Sequence, residues 1–175
     1  MTGAKRIMVV GSGGAGKTTL ALKLGEATGL PVIHLDRHNW NPGWVPTPED
    51  EWKEIVRELA ATDRWIIDGN YGGTLITRAR RCDTIVFFDF NRLISLWGAV
   101  KRATFHRGRS RPDMAEGCSE RLDLAFLRWI WNYNSVSRPK VLRAIEQAPE
   151  GVRVISVRNR REVRELLNQL GSIPA

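Results

Sequence analysis

Cysteine is scarce and scattered. Cys82 and Cys118 are the only two, and they lack the paired spacing of a metal site, a redox motif or a disulfide framework. A reducing, cytoplasmic compartment is the simplest setting. Long apolar runs are missing as well, since nothing approaches the roughly 20 residues that a membrane span requires. The first apolar run starts so near Met1 that no signal peptide is expected. Acidic residues fall short of basic ones, 19 against 27, leaving a net charge of +8. That excess favours anionic ligands in general and is compatible with nucleic acid. No helix-turn-helix, zinc finger or aromatic-basic strand motif accompanies it, however. There is no internal repeat and no low-complexity stretch.

What is present is the composition of an ordinary globule, 42% hydrophobic and 26% charged over 175 residues. A chain of that size fits a single domain, here 1–175, and can bury roughly 70% of its unfolded surface. Short apolar runs near 5–10, 31–35, 64–68, 83–89 and 152–157 read as strands. Between and after them, helices are expected near 17–28, 49–61, 73–80, 92–104, 118–135, 138–147 and 160–170. Thr47-Pro48-Glu49-Asp50 has the look of a helix start with Pro at the first helical position. Ser119 before Glu120 suggests another onset, and Pro139 breaks the two late helices apart. Strand and helix alternate throughout, which implies an α/β fold with a parallel sheet covered on both faces.

The most informative string is Gly11-Ser12-Gly13-Gly14-Ala15-Gly16-Lys17-Thr18, a G-x-x-x-x-G-K-T pattern that follows the apolar run Ile7 to Val10. A strand feeding a glycine-rich turn and then a helix is the context that makes this pattern a phosphate cradle. Glycines at 11, 13, 14 and 16 let the backbone approach a phosphate chain. The N–H groups of this loop, from Gly11 through Ala15 and Gly16 to Thr18 and Thr19, face the anion together with the positive end of the helix dipole. Lys17 is then placed to reach the β- and γ-phosphates, and the Thr18 hydroxyl to ligate Mg²⁺. The expected ligand is a nucleoside triphosphate.

A second chemical feature is Trp65-Ile66-Ile67-Asp68-Gly69-Asn70-Tyr71, which puts a carboxylate at the end of a buried strand. In nucleotide-binding sheets of this kind an Asp on the strand beside the phosphate loop holds the Mg²⁺ shell, and Asp68 fits that role. Asp89, after Ile85 to Phe88, is its rival.

These strings resemble the adenylate-kinase-related P-loop proteins, and among them the DNA topology modulation subgroup. The resemblance rests on G-S-G-G-A-G-K-T, H-L-D at 34–36, N-P-G-W at 41–44, W-I-I-D-G-N-Y at 65–71 and K-R at 101–102, and it spans nearly the whole chain. It implies a P-loop NTPase fold with a five-stranded parallel sheet, an acceptor-binding insertion at about 36–61 and a short arginine-rich lid at about 105–120. It also implies Mg-ATP as phosphoryl donor. By this likeness Lys17, Thr18 and Asp68 fall on donor and metal positions, Arg102 on an arginine held against ATP, and Arg111 and Arg121 on two lid arginines that converge on the transferring group. Adenylate kinases follow the strand-end Asp-Gly with an arginine that grips AMP. Here Asn70-Tyr71-Gly72 contains none, and an ATP-side arginine is also missing near Trp97-Gly98, which argues against AMP as the acceptor.

Two stretches break the alternation: Asp36 to Pro46, rich in Trp, Pro and Gly, and the basic His106 to Gly117. Long irregular loops in compact domains tend to be functional. Asp36 is expected at the end of the second strand, where it can hydrogen-bond an acceptor hydroxyl. Arg107, Arg109 and Arg111 alternate along the basic stretch and could neutralise transferring phosphate. His34 reads as inward and structural, and His38 as more exposed. Trp40 and Trp44 could stack a ligand, whereas Trp52 and the cluster from Trp129 to Tyr133 read as packing, with one ring facing the site.

The leading expectation is a kinase acting on a small acceptor, a nucleotide or hydroxylated metabolite, as a monomer or homodimer. The alternatives are a nucleotide-binding regulator of DNA topology and a slow ATPase.

Overall fold

A computed structural model describes residues 3–105, 108, 113–119 and 123–171. Five strands form one parallel sheet: β1 (Arg6–Gly11), β2 (Val32–His34), β5 (Trp65–Asp68), β6 (Thr84–Phe88) and β7 (Arg153–Val157), in the order β2-β5-β1-β6-β7. The three central strands are apolar and almost wholly buried, as sheets covered on both faces require. Alternate residues feed opposite cores. Met8, Val10, Ile67 and Phe87 join α3 (Glu49–Ala61), α4 (Leu75–Ala79) and α8 (Arg138–Glu146) on one face. On the other, Ile7, Val9, Ile66 and Val86 meet α1 (Lys17–Thr28) and α9 (Arg160–Gly171). The amphipathic α3 buries Trp52, Val56 and Ala60 at helical spacing and opens with three acids in its first turn. Pro48 stands at its cap, one residue ahead of the expected position.

Chain order reverses beside β1. The chain leaves β1 for β2, returns to insert β5 between them, and then crosses to β6. Open α/β sheets bind ligands at the carboxyl edge of such a switch point. Here that edge carries Gly11 and Asp68, the ends of adjacent strands.

Two expectations need correction. The stretch from Asp36 to Pro46 is largely regular: α2 (Leu35–Asn39) leads into a small antiparallel hairpin, β3 (Trp40–Asn41) with β4 (Val45–Pro46). A turn closed by the Trp44 N–H donating to the Asn41 carbonyl (3.1 Å) joins the two strands. Strands this short carry no periodic signal. The long helix expected from 118 to 135 begins only at Leu124, where the Asp123 carboxylate accepts the Ala125 and Phe126 N–H groups. Asp123, not Ser119, is therefore the cap. This α6 (Leu124–Trp131) is followed after Asn132 by α7 (Tyr133–Val136).

The glycine loop after β1 is pressed against α5 (Arg92–Phe105). A Cβ on Gly98 would lie 2.1 Å from the Gly14 carbonyl oxygen, and one on Gly14 would lie 2.2 Å from the Ser95 carbonyl oxygen. Neither backbone can yield. This explains why Gly98 stands where the family resemblance leads one to expect a larger side chain nearby.

Alanine normally stabilises a helix interior relative to glycine by up to about 1 kcal/mol. Gly98→Ala should instead destabilise by about 1–3 kcal/mol, because its methyl meets backbone. Gly73, whose Cβ would meet nothing within 4 Å, serves as the control: Gly73→Ala should stay within about 0.5 kcal/mol of the parent. Urea denaturation of both variants checks this.

Candidate functional site

A cleft of about 960 Å³ opens at the carboxyl edge of the sheet. One wall is the glycine loop and the start of α1: Gly13, Gly14, Gly16, Lys17, Thr18 and Thr19. Gly16 holds φ +96° at the α1 N-cap, a left-handed conformation that glycine adopts without strain. Gly11 and Ala15 sit behind this wall. Gly11 lies so close under Phe88 that a Cβ would be 2.5 Å from its carbonyl oxygen, and Ala15 is buried. The Lys17 ammonium folds back onto the loop and donates to the Ser12 carbonyl (2.9 Å).

Asp68 lies directly across from this loop. Its Oδ2 accepts the Thr18 hydroxyl at 2.7 Å and lies 3.3 Å from His34 Nδ1. Its Oδ1 is buried and has no hydrogen-bond partner. An orphaned carboxylate oxygen beside a threonine hydroxyl and a phosphate loop is the donor set expected around Mg²⁺. Among the described residues no group of three His, Cys, Asp or Glu side chains converges on a metal position. A divalent ion here would therefore draw most of its shell from phosphate oxygens and water. The rival carboxylate, Asp89, is taken up by a bidentate pair with Arg138 (2.7 and 2.8 Å). His34, expected to point inward, is largely buried and stands beside Asp68.

The far wall belongs to Asp36, Trp40, Trp44, Asn70, Tyr71 and Lys140. Asp36 sits in the first turn of α2, beyond the strand end where it was expected. Its carboxylate accepts the Tyr71 hydroxyl at 2.6 Å, and burial, followed by the Asp36 charge, pushes the Tyr71 phenol far above its ordinary value. Trp40 and Trp44 meet edge to face, 5.5 Å between centroids. Trp52 packs on the Tyr71 ring (4.8 Å) from the core side. Between the walls lie Arg102, its guanidinium 5.4 Å from the Phe126 ring centre, and Trp129, which stacks on Phe126.

Arg111 and Arg121, together with Arg107 and Arg109, lie outside the described residues. Of the basic stretch, the end near Gly117 and Cys118 is described, and it rests on the β3–β4 hairpin. Gly43 N–H donates to the Gly117 carbonyl (3.3 Å), and the Cys118 thiol contacts the Asn41 carbonyl (3.3 Å).

The residue that sequence reasoning missed entirely is Arg78 on α4. It is fully buried. Nη1 donates to the Gly69 carbonyl (2.8 Å), Nη2 to those of Asn70 (2.9 Å) and Tyr71 (3.4 Å), and Nε to that of Thr74 (3.3 Å). Burial lowers its pKa to about 10. Asn70 was missed as well, although its Oδ1 accepts the Gly11 N–H (3.3 Å) and so ties the Asp-Gly-Asn-Tyr turn to the phosphate loop.

No protein-family model matches this sequence, and no curated protein does. Solved structures do share the fold. The shikimate kinase of Bacteroides thetaiotaomicron superposes with TM-score 0.55 at 18% identity, over 95% of this chain and 96% of its own. The shikimate kinase of Acinetobacter baumannii, solved in complex with shikimate, superposes with TM-score 0.60 at 18% identity, over 96% of this chain and 91% of its own. The chain shares their α/β fold, a five-stranded parallel sheet flanked by helices. No described helix is long and apolar enough to cross a membrane.

Two outcomes follow from the polar contacts. Tyr71→Phe removes the bond to Asp36 and should lower stability by about 1 kcal/mol, read from the urea midpoint. Arg138 also holds the Asp89 carboxyl below its ordinary range. The stability from that pair is complete above the unfolded value near pH 4 and is lost as pH falls through the lower folded value. Arg138→Met should flatten this acid-side slope in urea midpoints measured as a function of pH.

Proposed function

We propose that this protein is an ATP-dependent kinase, one domain over 1–175, that transfers the γ-phosphoryl group of Mg-ATP to a hydroxyl of a small metabolite. The observation that carries the reading is a single cleft bounded on one side by the phosphate loop and on the other by the Asp36–Tyr71 pair. Donor and acceptor chemistry would thus share one cleft, as direct transfer requires.

Phosphoryl transfer depends on positioning and charge neutralisation more than on covalent chemistry. The loop N–H groups and Lys17 would hold the triphosphate, with Arg102 against its outer part. Thr18 and Asp68 would hold Mg²⁺, which when bound supplies positive charge to the phosphate oxygens. Asp36 would accept a hydrogen bond from the acceptor hydroxyl and orient it, while the Tyr71 hydroxyl fixes the carboxylate rotamer. Arg111 and Arg121 are proposed, from the family resemblance alone, to add charge at the transferring group. The absence of arginine from Asn70-Tyr71-Gly72 supports a hydroxylated metabolite over a nucleoside monophosphate. The fold neighbours are kinases named for such a hydroxylated substrate, which points the same way. The likeness to the DNA topology modulation subgroup supplies no acceptor, and the regulator and ATPase readings share the same donor site.

ADP formation should be followed across nucleoside monophosphates, nucleosides and hydroxylated metabolites. One acceptor should stimulate it and emerge phosphorylated. Lys17→Ala should lower turnover on the order of 10²-fold or more. Asp36→Asn should lower acceptor-dependent turnover by roughly 10²-fold or more while leaving ATP affinity within about twofold. ADP formation indifferent to every acceptor and to Asp36→Asn would replace the kinase with an ATPase. Failure of the parent protein to bind Mg-ATP would remove both.

A further inference from the structure

The turn that follows Asp68 is held from beneath by one residue, and the metal-binding half of the cleft depends on it. Gly69 adopts φ +144°, and a Cβ there would lie 2.8 Å from that of Leu35; Tyr71 adopts φ +27°, strained for any side chain. Carbonyls of the consecutive residues Gly69, Asn70 and Tyr71, and that of Thr74, converge on the Arg78 guanidinium. Converging carbonyl dipoles repel one another, so this backbone path needs a cation at its focus. Among the described residues no carboxylate forms an ion pair with Arg78; its charge is held by these carbonyl dipoles and, at longer range, by the Asp68 carboxylate.

Side chains of the same turn face the cleft in the other direction. Asp68, next to Gly69, takes the Thr18 hydroxyl; Asn70 takes the Gly11 N–H; Tyr71 donates to Asp36. Metal carboxylate, phosphate loop and acceptor carboxylate are thus all registered through one turn. We propose that Arg78 is a positioning residue for the nucleotide-bound metal ion: by fixing the Gly69–Tyr71 carbonyls it fixes where the Asp68 carboxylate stands relative to Thr18. The inference rests on the Mg-nucleotide reading of the cleft.

The geometry explains the residue type. Only a planar fork with five donors reaches four carbonyls from one position. Lysine keeps the charge but loses the fork, and an apolar side chain takes this donor from the Gly69 and Asn70 carbonyls, while the Tyr71 carbonyl keeps the Thr74 N–H and hydroxyl.

The test measures ATP affinity by tryptophan fluorescence, with Mg²⁺ and with EDTA, in the parent protein and in Arg78→Lys. The phosphate loop and Lys17 are untouched by the substitution, so metal-free ATP affinity should change less than about twofold. Mg-ATP affinity should fall ~10-fold or more, the scale on which residues behind metal ligands act. Thr18→Ala, which removes a proposed metal ligand outright, should show the same metal-specific pattern. Equal losses with and without Mg²⁺, or no loss in either, would overturn the proposal. If circular dichroism shows Arg78→Lys to be unfolded, Gly69→Ala decides by the same criterion, because it displaces the turn from the Leu35 side and leaves the buried charge in place. A parent protein that binds no nucleotide would instead defeat the kinase reading itself.

Discussion

The 2.7 Å hydrogen bond from Thr18 to Asp68 exists because β1 and β5 are neighbours, in parallel, with Val9 beside Asp68 in register. Slip that register by one residue and the carboxylate turns to the opposite face of the sheet, away from the loop. The register is set by burial. Every residue of β5 and all but the first of β1 are packed on both faces, so no shift leaves the cores filled. From this contact the rest of the site follows. The loop must leave β1 upward, α1 must start at Gly16, and the acceptor elements must come from the next strand outward, which is β2 with its α2 and hairpin.

Close packing then adds a second constraint. The phosphate loop is wedged between β6 and α5, with glycines at both contacts: Gly11 under Phe88 and Gly14 against Ser95 and Gly98. A loop held this way keeps its N–H groups aimed without help from a ligand, which is how preorganised anion sites gain affinity. The acceptor side is built otherwise. Its hairpin has two residues per strand, and its Trp40 and Trp44 rings are partly exposed. The donor side is thus rigid by backbone contact, and the acceptor side is shaped by side chains.

How much of this was legible in the sequence follows the same division. The three central strands, buried on both faces, announce themselves as unbroken apolar runs, and the shorter or more exposed β2 and β7 were legible from their place in the strand–helix alternation, which implies a parallel sheet. The loop, Thr18 and Asp68 were legible because phosphate binding demands particular residues at fixed spacing. The hairpin was not, because two-residue strands have no period. His34 reads as inward, but its neighbour was not legible, because a lone histidine at a strand end says nothing about the residue beside it on the next strand. Arg78 was invisible for a sharper reason. Arg78, Arg80 and Arg81 crowd the end of one short helix and the turn after it, and such a cluster normally lies in water, as Arg80 and Arg81 do here. That one of the three turns inward is decided by a need elsewhere, the convergent carbonyls of residues 69–71, and no local pattern encodes it.

Arg78 also bears on how the two halves of the cleft can vary independently. Donor recognition is tied to backbone groups and to Asp68, all on the sheet side of the turn. Acceptor recognition starts at the Tyr71 side chain and runs outward through Asp36 and the hairpin. Arg78 grips main-chain carbonyls and the Asn70 side chain holds the turn to Gly11, so a change of the Tyr71 side chain leaves both anchors of the turn in place. A turn anchored by its backbone tolerates different side chains on its acceptor-facing side while Asp68, the proposed metal carboxylate, stays beside Thr18. On the proposed kinase reading, the lack of arginine in Asn70-Tyr71-Gly72 concerns the acceptor side alone, and a site for a triphosphate accounts for part of the +8 charge of the chain without a polyanionic partner.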